Sequence, residues 1–510
     1  MWRPTEVATD SGRLRRHSGP IRTAQHHTVW RGKMRLSDLE RVALRRQLIG
    51  HNLVGGGHRP VADYVRRYEC TGTLDHHDGE PPVACECIAT QEHDGTVTLE
   101  CVSPPDSPVP SHWMKAFFGE PLEATLFKGS LKNGLPIEAE GTLLGRPGGW
   151  NRDRGTAATF GLTGNSRLTV GRPDDAAEWR FAITNLLFAV PAGRPPRPGA
   201  ASESLLLALP AGTVTIAQLP DYDDIKRELR GRHAVQVTSE ACVPRSLPLD
   251  EARNLVSDLC SVLSLAEGTL VNWIFCEQRD ADGKQLFAVH HPAITRPYNG
   301  ALPLIDPRRP AEMPAFVESV FGPFRDIEDS YRLGATVRAL VDVRTTGFLE
   351  TRCLQLLSVM EFVIGRNAVL NGREFVMADV AFKAKRESLT RTFSEVLRLA
   401  FGSLAKQAAD EMAEHVQGLN YTSFRRRLRK AAASFGVRLE KSDVNGVAET
   451  RNELVHRASF VTDEPMKEFQ RVQSVLDKLL LGLLGYRGPY IDAKTFERAT
   501  KPLGTNAPQP

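Results

Sequence analysis

Arg451 and His456 stand five positions apart near the C-terminus, in the segment RNELVH. An arginine can bind and neutralise a phosphate, and a histidine can transfer protons near neutral pH. Cleavage of a phosphodiester needs both functions. The spacing alone is weak, because about one such pair is expected by chance in an Arg-rich chain of this length. Arg22…His27 and Arg46…His51 show the same spacing.

The surrounding sequence predicts a helix over Val447–Ser459 that begins just after Gly446. On such a helix Asn452 and His456 share one face, because they are four residues apart, and Arg451 flanks that face. Arg451 would then lie about one turn from the helix start, where free backbone N–H groups and the helix dipole favour an anion. A phosphate is therefore predicted to bind at this end of the helix.

This arrangement is suited to metal-independent cleavage of RNA. The ribose 2′-OH attacks the adjacent phosphorus, so the protein need not supply a nucleophile. His456 would perform the acid–base chemistry, Arg451 would stabilise the developing charge, and Asn452 would orient one of them. The reaction needs two proton transfers, and each site has only one histidine. A homodimer with two such helices side by side is therefore predicted, because it would supply a second histidine.

The Arg451-Asn452-x-x-x-His456 signature in a C-terminal helical region resembles the HEPN superfamily, over about residues 330–485. Together with an N-terminal β-rich region it resembles the ApeA-like HEPN proteins, which are implicated in bacterial anti-phage defence. The resemblance implies a dimeric, metal-independent ribonuclease, although some HEPN domains act only in assembly. It also implies an earlier helix with an acidic residue, matched here by Glu361, which would pair with or position Arg451. A purely structural ion pair is the alternative for Glu361.

The densest basic cluster of the chain precedes the candidate site. Its members are predicted to contact the phosphate backbone of RNA, and a solvated helix face is the alternative interpretation. They are Arg425, Arg426, Arg427, Arg429 and Lys430.

The sequence predicts an α+β fold, with an N-terminal antiparallel β-rich domain followed by a C-terminal all-α, HEPN-like helical bundle. Short alternating runs such as Thr96–Val102, separated by turn residues, predict an antiparallel β sandwich or a curved sheet. Apolar residues at helical intervals predict helices after about residue 311. The predicted divisions are a flexible basic segment (1–60), the β-rich domain (61–245), a mixed α/β extension with a Pro-rich connector (246–310), the helical domain (311–488) and a tail (489–510).

The overall composition is that of a globular protein with a mild positive charge. The 510 residues are 41% hydrophobic and 25% charged, with a net charge of +4, which weakly favours anionic partners. No stretch is predicted to be long and apolar enough to span a membrane, and the first residues lack the apolar core of a secretory signal. A cytoplasmic protein is therefore expected.

Translation from Met34 rather than Met1 is an open alternative, because the first organised segment begins there.

No metal ion or other cofactor is predicted. Among the eight cysteines, Cys85-Glu86-Cys87 lies on a strand-like run with no matching second pair, so a zinc site is not expected. His76-His77-Asp78 and His290-His291 also lack convergent partners in the sequence. The chain contains neither a Walker A lysine motif nor a G-x-S-x-G motif, which argues against an NTPase or a serine hydrolase.

Three functional hypotheses follow from the sequence. The first is a HEPN-type endoribonuclease that cleaves RNA in anti-phage defence, with the β domain sensing a trigger, such as a phage-derived one, or restraining activity. The second is a non-enzymatic protein that recognises a ligand or phage protein and uses the helical bundle for assembly. The third is a partner or target of a nucleotidyltransferase.

Overall fold

The computed structural model of this chain describes most of the residues after position 63. Residues 1–63 lie outside the described residues, and so do both alternative Arg…His pairs and His76-His77-Asp78. The described residues are 64–75, 81–104, 113, 122–151, 155–174, 177–189, 204–232, 234–244, 246–298, 300–343, 347–402, 416 and 420–499.

The first six strands close into an antiparallel barrel. Neighbouring strands follow the order β1-β2-β3-β6-β5-β4, and β4 pairs back with β1, which completes the ring. Buried and exposed positions alternate along β2, because successive side chains of a strand point to opposite faces. The strands are β1 (Tyr64–Asp75), β2 (Val83–Glu92), β3 (Val97–Val102), β4 (Leu122–Leu131), β5 (Pro136–Asn151) and β6 (Gly155–Leu162). The antiparallel β region is confirmed, but its predicted sandwich-like layout is corrected to a closed barrel in this part.

A second antiparallel sheet continues from the barrel, because β5 also pairs with β7. Its strand order is β7-β13-β12-β8-β11-β10-β9. The strands are β7 (Arg167–Gly171), β8 (Trp179–Thr184), β9 (Ser204–Leu209), β10 (Gly212–Gln218), β11 (Val237–Val243), β12 (Asn272–Arg279) and β13 (Gln285–His290). Strands β12 and β13 belong to residues 246–310, which were predicted to form a separate extension. In the structure they lie between β7 and β8, inside the second sheet.

Helices dominate the rest of the described chain, so the α+β class is confirmed. Helix α1 (Tyr222–Arg232) connects β10 to β11, and α2 (Leu249–Glu267) lies between β11 and β12 in the sequence. The later elements are α3 (Glu312–Tyr331), α4 (Leu333–Asp342), α5 (Leu349–Leu370), α6 (Asp379–Phe401), α7 (Phe424–Ser434), α8 (Lys441–Arg457), α9 (Pro465–Leu483) and the hairpin of β14 (Tyr490–Asp492) and β15 (Glu497–Ala499).

Two large hydrophobic cores organise these elements. One fills the barrel and includes Phe127 and Phe160, both fully buried. The other is shared between the second sheet and the helices: it joins Phe181 of β8 to Phe316 of α3 and Leu476 of α9. The second sheet and the helical region are therefore held together by one continuous core.

Helix α5 is long and apolar enough to cross a membrane by length and composition alone, with a mean hydropathy of 1.4 over its most apolar window. The expectation that no segment meets this test was therefore wrong. Half of that window is buried inside the protein. Leu357, Met360 and Val363 belong to the shared core, which accounts for the apolar character of this helix.

Candidate functional site around Arg451

Helix α8 carries Arg451, Asn452 and His456, but it begins earlier than predicted. It starts at Lys441 and ends at Arg457, so Arg451 lies ten residues beyond the first helical residue instead of about one turn. The prediction that the helix start helps Arg451 to hold an anion was therefore wrong, since that effect is confined to the first turn. Attraction for a phosphate must come from side chains.

Gly446 is a packing position rather than a helix boundary. A Cβ atom added there would lie 2.2 Å from Nη1 of Arg471, so the glycine leaves room for this side chain of α9. One turn later, Thr450 donates a hydrogen bond to Glu468 Oε2 at 3.0 Å. Helix α8 is thus fixed against α9 through the stretch in which the sequence suggested that it begins.

The guanidinium of Arg451 is held from three sides. Its Nε donates to Oε1 of Glu361 on α5, its Nη1 donates to Oδ1 of Asn452 at 3.3 Å, and its Cζ lies 5.6 Å from the ring centre of Phe424. The predicted pairing of Glu361 with Arg451 is therefore present. An arginine has five N–H donors, and these hydrogen bonds use two of them. The Arg451 side chain remains 28% exposed, so solvent and ligands can reach it.

His456 and Asn452 both lie on the exposed surface of α8. Four residues of an α-helix rise about 6 Å, so the two side chains are neighbours on one face. Leu454, only 1% exposed, anchors the same turn in the shared core. The structure thus brings an accessible histidine, an amide and a positioned arginine together within two turns of one helix.

The predicted basic cluster lies on α7 and divides into two groups. Arg425 pairs with Glu449 of α8 at 3.2 Å, and Arg427 points toward α5, where a Cβ at Gly365 would lie 3.9 Å from its Nη1. These two arginines therefore make contacts between helices.

The other members face outward to different degrees. Arg426 and Arg429 are exposed, whereas Lys430 is half-buried. Only part of the cluster is thus well placed to meet a phosphate backbone.

Sequence reasoning missed Phe424 and Glu449, which link the basic cluster to the candidate site. Phe424 is the first residue of α7 and packs under the Arg451 guanidinium, while Glu449 pairs with the next residue, Arg425. The signal was weak, because a lone aromatic residue before an arginine run is more often a core residue. Together these contacts join the N-terminal end of α7 to the middle of α8.

The cysteines of the barrel also differ from the prediction. The Sγ atoms of Cys85, Cys87 and Cys101 all lie within 4.8 Å of one another, with Cys87 3.3 Å from Cys85 and 3.0 Å from Cys101. Cys70 lies directly opposite Cys87 on β1 and donates to its carbonyl oxygen at 3.6 Å. Strand pairing thus brings Cys101 to Cys85 and Cys87, a juxtaposition that the sequence alone does not show.

His290 and His291 are structural in this fold. His290 is fully buried, with Nε2 2.9 Å from the Tyr68 hydroxyl and Nδ1 3.1 Å from the Gln91 side chain. Burial, with the nearby Arg66, lowers the pKa of His290 to about 3, and burial also lowers the pKa of His291 to about 4. The atom of Gln91 that faces Nδ1 is Oε1, so a neutral ring with its proton on Nδ1 can donate a hydrogen bond to it.

Comparison with known proteins leaves the family open. No model of a protein family matches the chain, and neither a curated protein nor a solved structure does. The function must therefore be argued from the geometry around Arg451.

Proposed function

We propose that this protein is a HEPN-type endoribonuclease that cleaves RNA without a metal ion, acting in the cytoplasm in anti-phage defence. One observation carries the proposal: Glu361, Asn452 and Phe424 position Arg451 on the same helix as the exposed His456. The resemblance of the Arg451-Asn452-x-x-x-His456 signature to the HEPN superfamily supports it, and helices α5, α7, α8 and α9, which surround these residues, share one core.

The proposed reaction is an internal transphosphorylation. The 2′-oxygen of the ribose forms a bond to the adjacent phosphorus, and the bond between phosphorus and the 5′-oxygen breaks. One proton leaves the 2′-hydroxyl and one proton is delivered to the 5′-oxygen, which yields a 2′,3′-cyclic phosphate and a 5′-hydroxyl end. His456 would transfer one of these protons, Arg451 would stabilise the charge on the non-bridging oxygens, and Asn452 would keep the guanidinium oriented.

The second proton transfer is assigned to His456 of a second copy of the chain in a homodimer. Exposed apolar side chains near the site favour such a contact: Val455, next to His456, is 55% exposed, and Val461 is 53% exposed. Elsewhere in the helical region, α6 exposes Val396 and Leu399 by 55% and 87%. Exposed apolar surface of this kind is typical of protein–protein contacts.

The barrel and the second sheet are proposed to sense a trigger, such as a phage-derived one, or to restrain the nuclease. The common core of the second sheet and the helices supports this role, because a change at the sheet would reach helix α5 through packed side chains. α5 carries Glu361, the partner of Arg451.

Incubation of a short RNA with the protein in the presence of EDTA tests the proposed chemistry. We expect fragments that end in 2′,3′-cyclic phosphate and 5′-hydroxyl groups, identified by mass spectrometry. A matched RNA with 2′-deoxyribose at the cleaved positions should stay intact there, because the attacking hydroxyl is missing. Cleavage of the deoxy-substituted RNA at those positions, or ends with a 5′-phosphate, would contradict the mechanism.

RNA binding is predicted to depend on the two exposed arginines of α7. Replacing both, Arg426→Gln with Arg429→Gln, should reduce the salt dependence of binding, lowering the slope of log K against log salt by about 1.4. Binding is measured by fluorescence anisotropy over a salt series. The control is Arg167→Gln, which removes a half-exposed arginine of β7 that pairs with Glu140. An unchanged slope in the double variant would exclude these arginines from the RNA path.

If RNA remains intact in every condition while the protein binds a ligand or a phage protein tightly, the non-enzymatic recognition function replaces this proposal. That function predicts that ligand binding survives His456→Ala, since the histidine would have no role in it.

A further inference from the structure

Four of the eight cysteines of the chain converge on one spot inside the barrel. Strand pairing places Cys70 of β1, Cys87 of β2 and Cys101 of β3 directly opposite one another in a row. Cys85 lies two residues before Cys87 and therefore on the same face of β2. All four are thiols, and each is at most 5% exposed.

We propose that Cys70, Cys85, Cys87 and Cys101 bind one Zn²⁺ ion as a structural site within the β barrel. Cysteine sulfur is the preferred ligand of structural zinc, and four such ligands complete a tetrahedral site. This site is distinct from the proposed RNA-cleaving site, which lies on helices α5, α7 and α8.

The sulfur positions fit this role. Zinc bound at about 2.3 Å by four tetrahedral sulfurs holds them about 3.8 Å apart. The distances from Cys87 Sγ, 3.3 Å to Cys85 and 3.0 Å to Cys101, are somewhat shorter, and the largest separation among the three sulfurs stays within 4.8 Å. Shifts of less than about 1 Å therefore produce the geometry of a metal centre.

Cys70 is assigned as the fourth ligand. It pairs with Cys87 across β1 and β2, and its Sγ lies 3.6 Å from the Cys87 carbonyl oxygen. Zinc binding would turn this sulfur from the carbonyl oxygen toward the other three, which already lie within 4.8 Å of one another.

The burial of all four ligands makes the site structural rather than catalytic. A catalytic zinc keeps one position open for water or substrate, whereas these sulfurs lie in the apolar core beside Leu99 and Phe160. The ion would tie together β1, β2 and β3, three of the six strands that close the barrel.

Ordinary core packing and a disulfide are the competing explanations. Buried cysteine often serves only as a small apolar residue. Packing alone, however, needs no sulfur at four adjoining positions. A disulfide between Cys87 and Cys101 would consume two of the thiols and leave the convergence of Cys70 and Cys85 without a role.

Metal analysis of the full-length protein tests the proposal. We expect about one zinc ion per chain after dialysis against metal-free buffer, and at least about a tenfold lower zinc content in Cys87→Ala and Cys101→Ala. Cys260→Ala is the matched control, because Cys260 is also buried but lies on α2, outside the cluster. Equal zinc in all four proteins would indicate adventitious metal, and no zinc in the wild type would overturn the site.

Measurements on the wild-type protein keep the test valid if the variants do not fold. Exchange of zinc for Co²⁺ should produce the thiolate-to-metal charge-transfer band and the strong visible absorption of a tetrahedral cobalt site. The four cysteines should also resist alkylation until a zinc chelator is added. A Cys87–Cys101 disulfide found by mass spectrometry in the protein as isolated would contradict the proposal. None of these readouts depends on RNA cleavage.

Discussion

The His456→Ala protein is expected to cleave RNA at least about 100-fold more slowly than the wild type, because the loss of a general acid–base group typically costs this much. Arg451→Ala should reduce the rate by a similar or larger factor, since it removes the charge opposite the phosphate. The rates are measured with a fluorescently labelled RNA under single-turnover conditions. His456 is exposed, so its replacement should leave the melting temperature almost unchanged.

The matched control for this experiment is His51→Ala. His51 follows Arg46 at the spacing of the candidate pair but belongs to the segment of residues 1–62. We expect wild-type cleavage from this variant. If the His51, His456 and Arg451 variants all cleave at the wild-type rate, the observed activity comes from another site or a contaminant and the catalytic assignment fails.

Acid is expected to unfold this protein through its buried histidines. The pKa of His290 is about 3 in the folded state, compared with about 6.5 for an unfolded chain, so only the unfolded state gains a proton between these values. The stability supplied by the neutral ring is therefore complete above about pH 6.5 and is lost as the pH falls toward 3. For His290 alone the loss is about 2 kcal/mol between pH 7 and pH 5. His291, whose pKa is about 4, adds to it in the same direction.

Urea unfolding at several pH values measures this effect, and His290→Gln isolates it. A glutamine does not titrate, so the variant should lose less stability than the wild type on acidification. The measured quantity is the difference in unfolding free energy between the two proteins at each pH. This difference removes the contribution of Glu267, whose pKa is raised by burial and whose effect on stability has the opposite pH dependence to that of His290. If the unfolding free energies of the wild type and His290→Gln fall equally with pH, the prediction is refuted.

Charged and polar side chains from several strands surround His290 and would respond to its protonation. Arg66 on β1 helps to keep the ring neutral, but it is itself paired with Glu277 of β12 at 2.9 Å. The hydroxyl of Tyr68 bonds both His290 and Gln285. Protonation of the ring would thus disturb the contacts between the barrel strands β1 and β2 and strands β12 and β13.

Local patterns in the sequence were sufficient to predict the α+β class and the helical region. The partner of Arg451 came only from the resemblance, which implies an acidic residue on an earlier helix, and the structure pairs Glu361 with Arg451. The start of helix α8 was not identifiable, because the sequence does not distinguish a glycine at a helix boundary from a glycine that makes room for a neighbouring side chain. Gly446 makes room for Arg471.

Strand pairing over long distances could not be predicted from the sequence. The barrel closes because β4 returns to β1, a contact between residues more than fifty positions apart that leaves no local signature. The same limitation hid the cysteine cluster: Cys70 and Cys101 become neighbours of Cys87 only through the register of three strands. A site whose residues come from several strands is therefore harder to predict from the sequence than a site whose residues lie on one helix.

The common core of the second sheet and the helices limits how this protein can be divided. Proteolytic cleavage near residue 310 would not release an independently folded helical region, because Phe316 and Leu476 pack in the same core as Phe181 of β8. A fragment beginning there would expose apolar surface and be prone to aggregation. The barrel has a separate core. Cleavage of the chain near residue 310 would therefore break up one folded body rather than separate two.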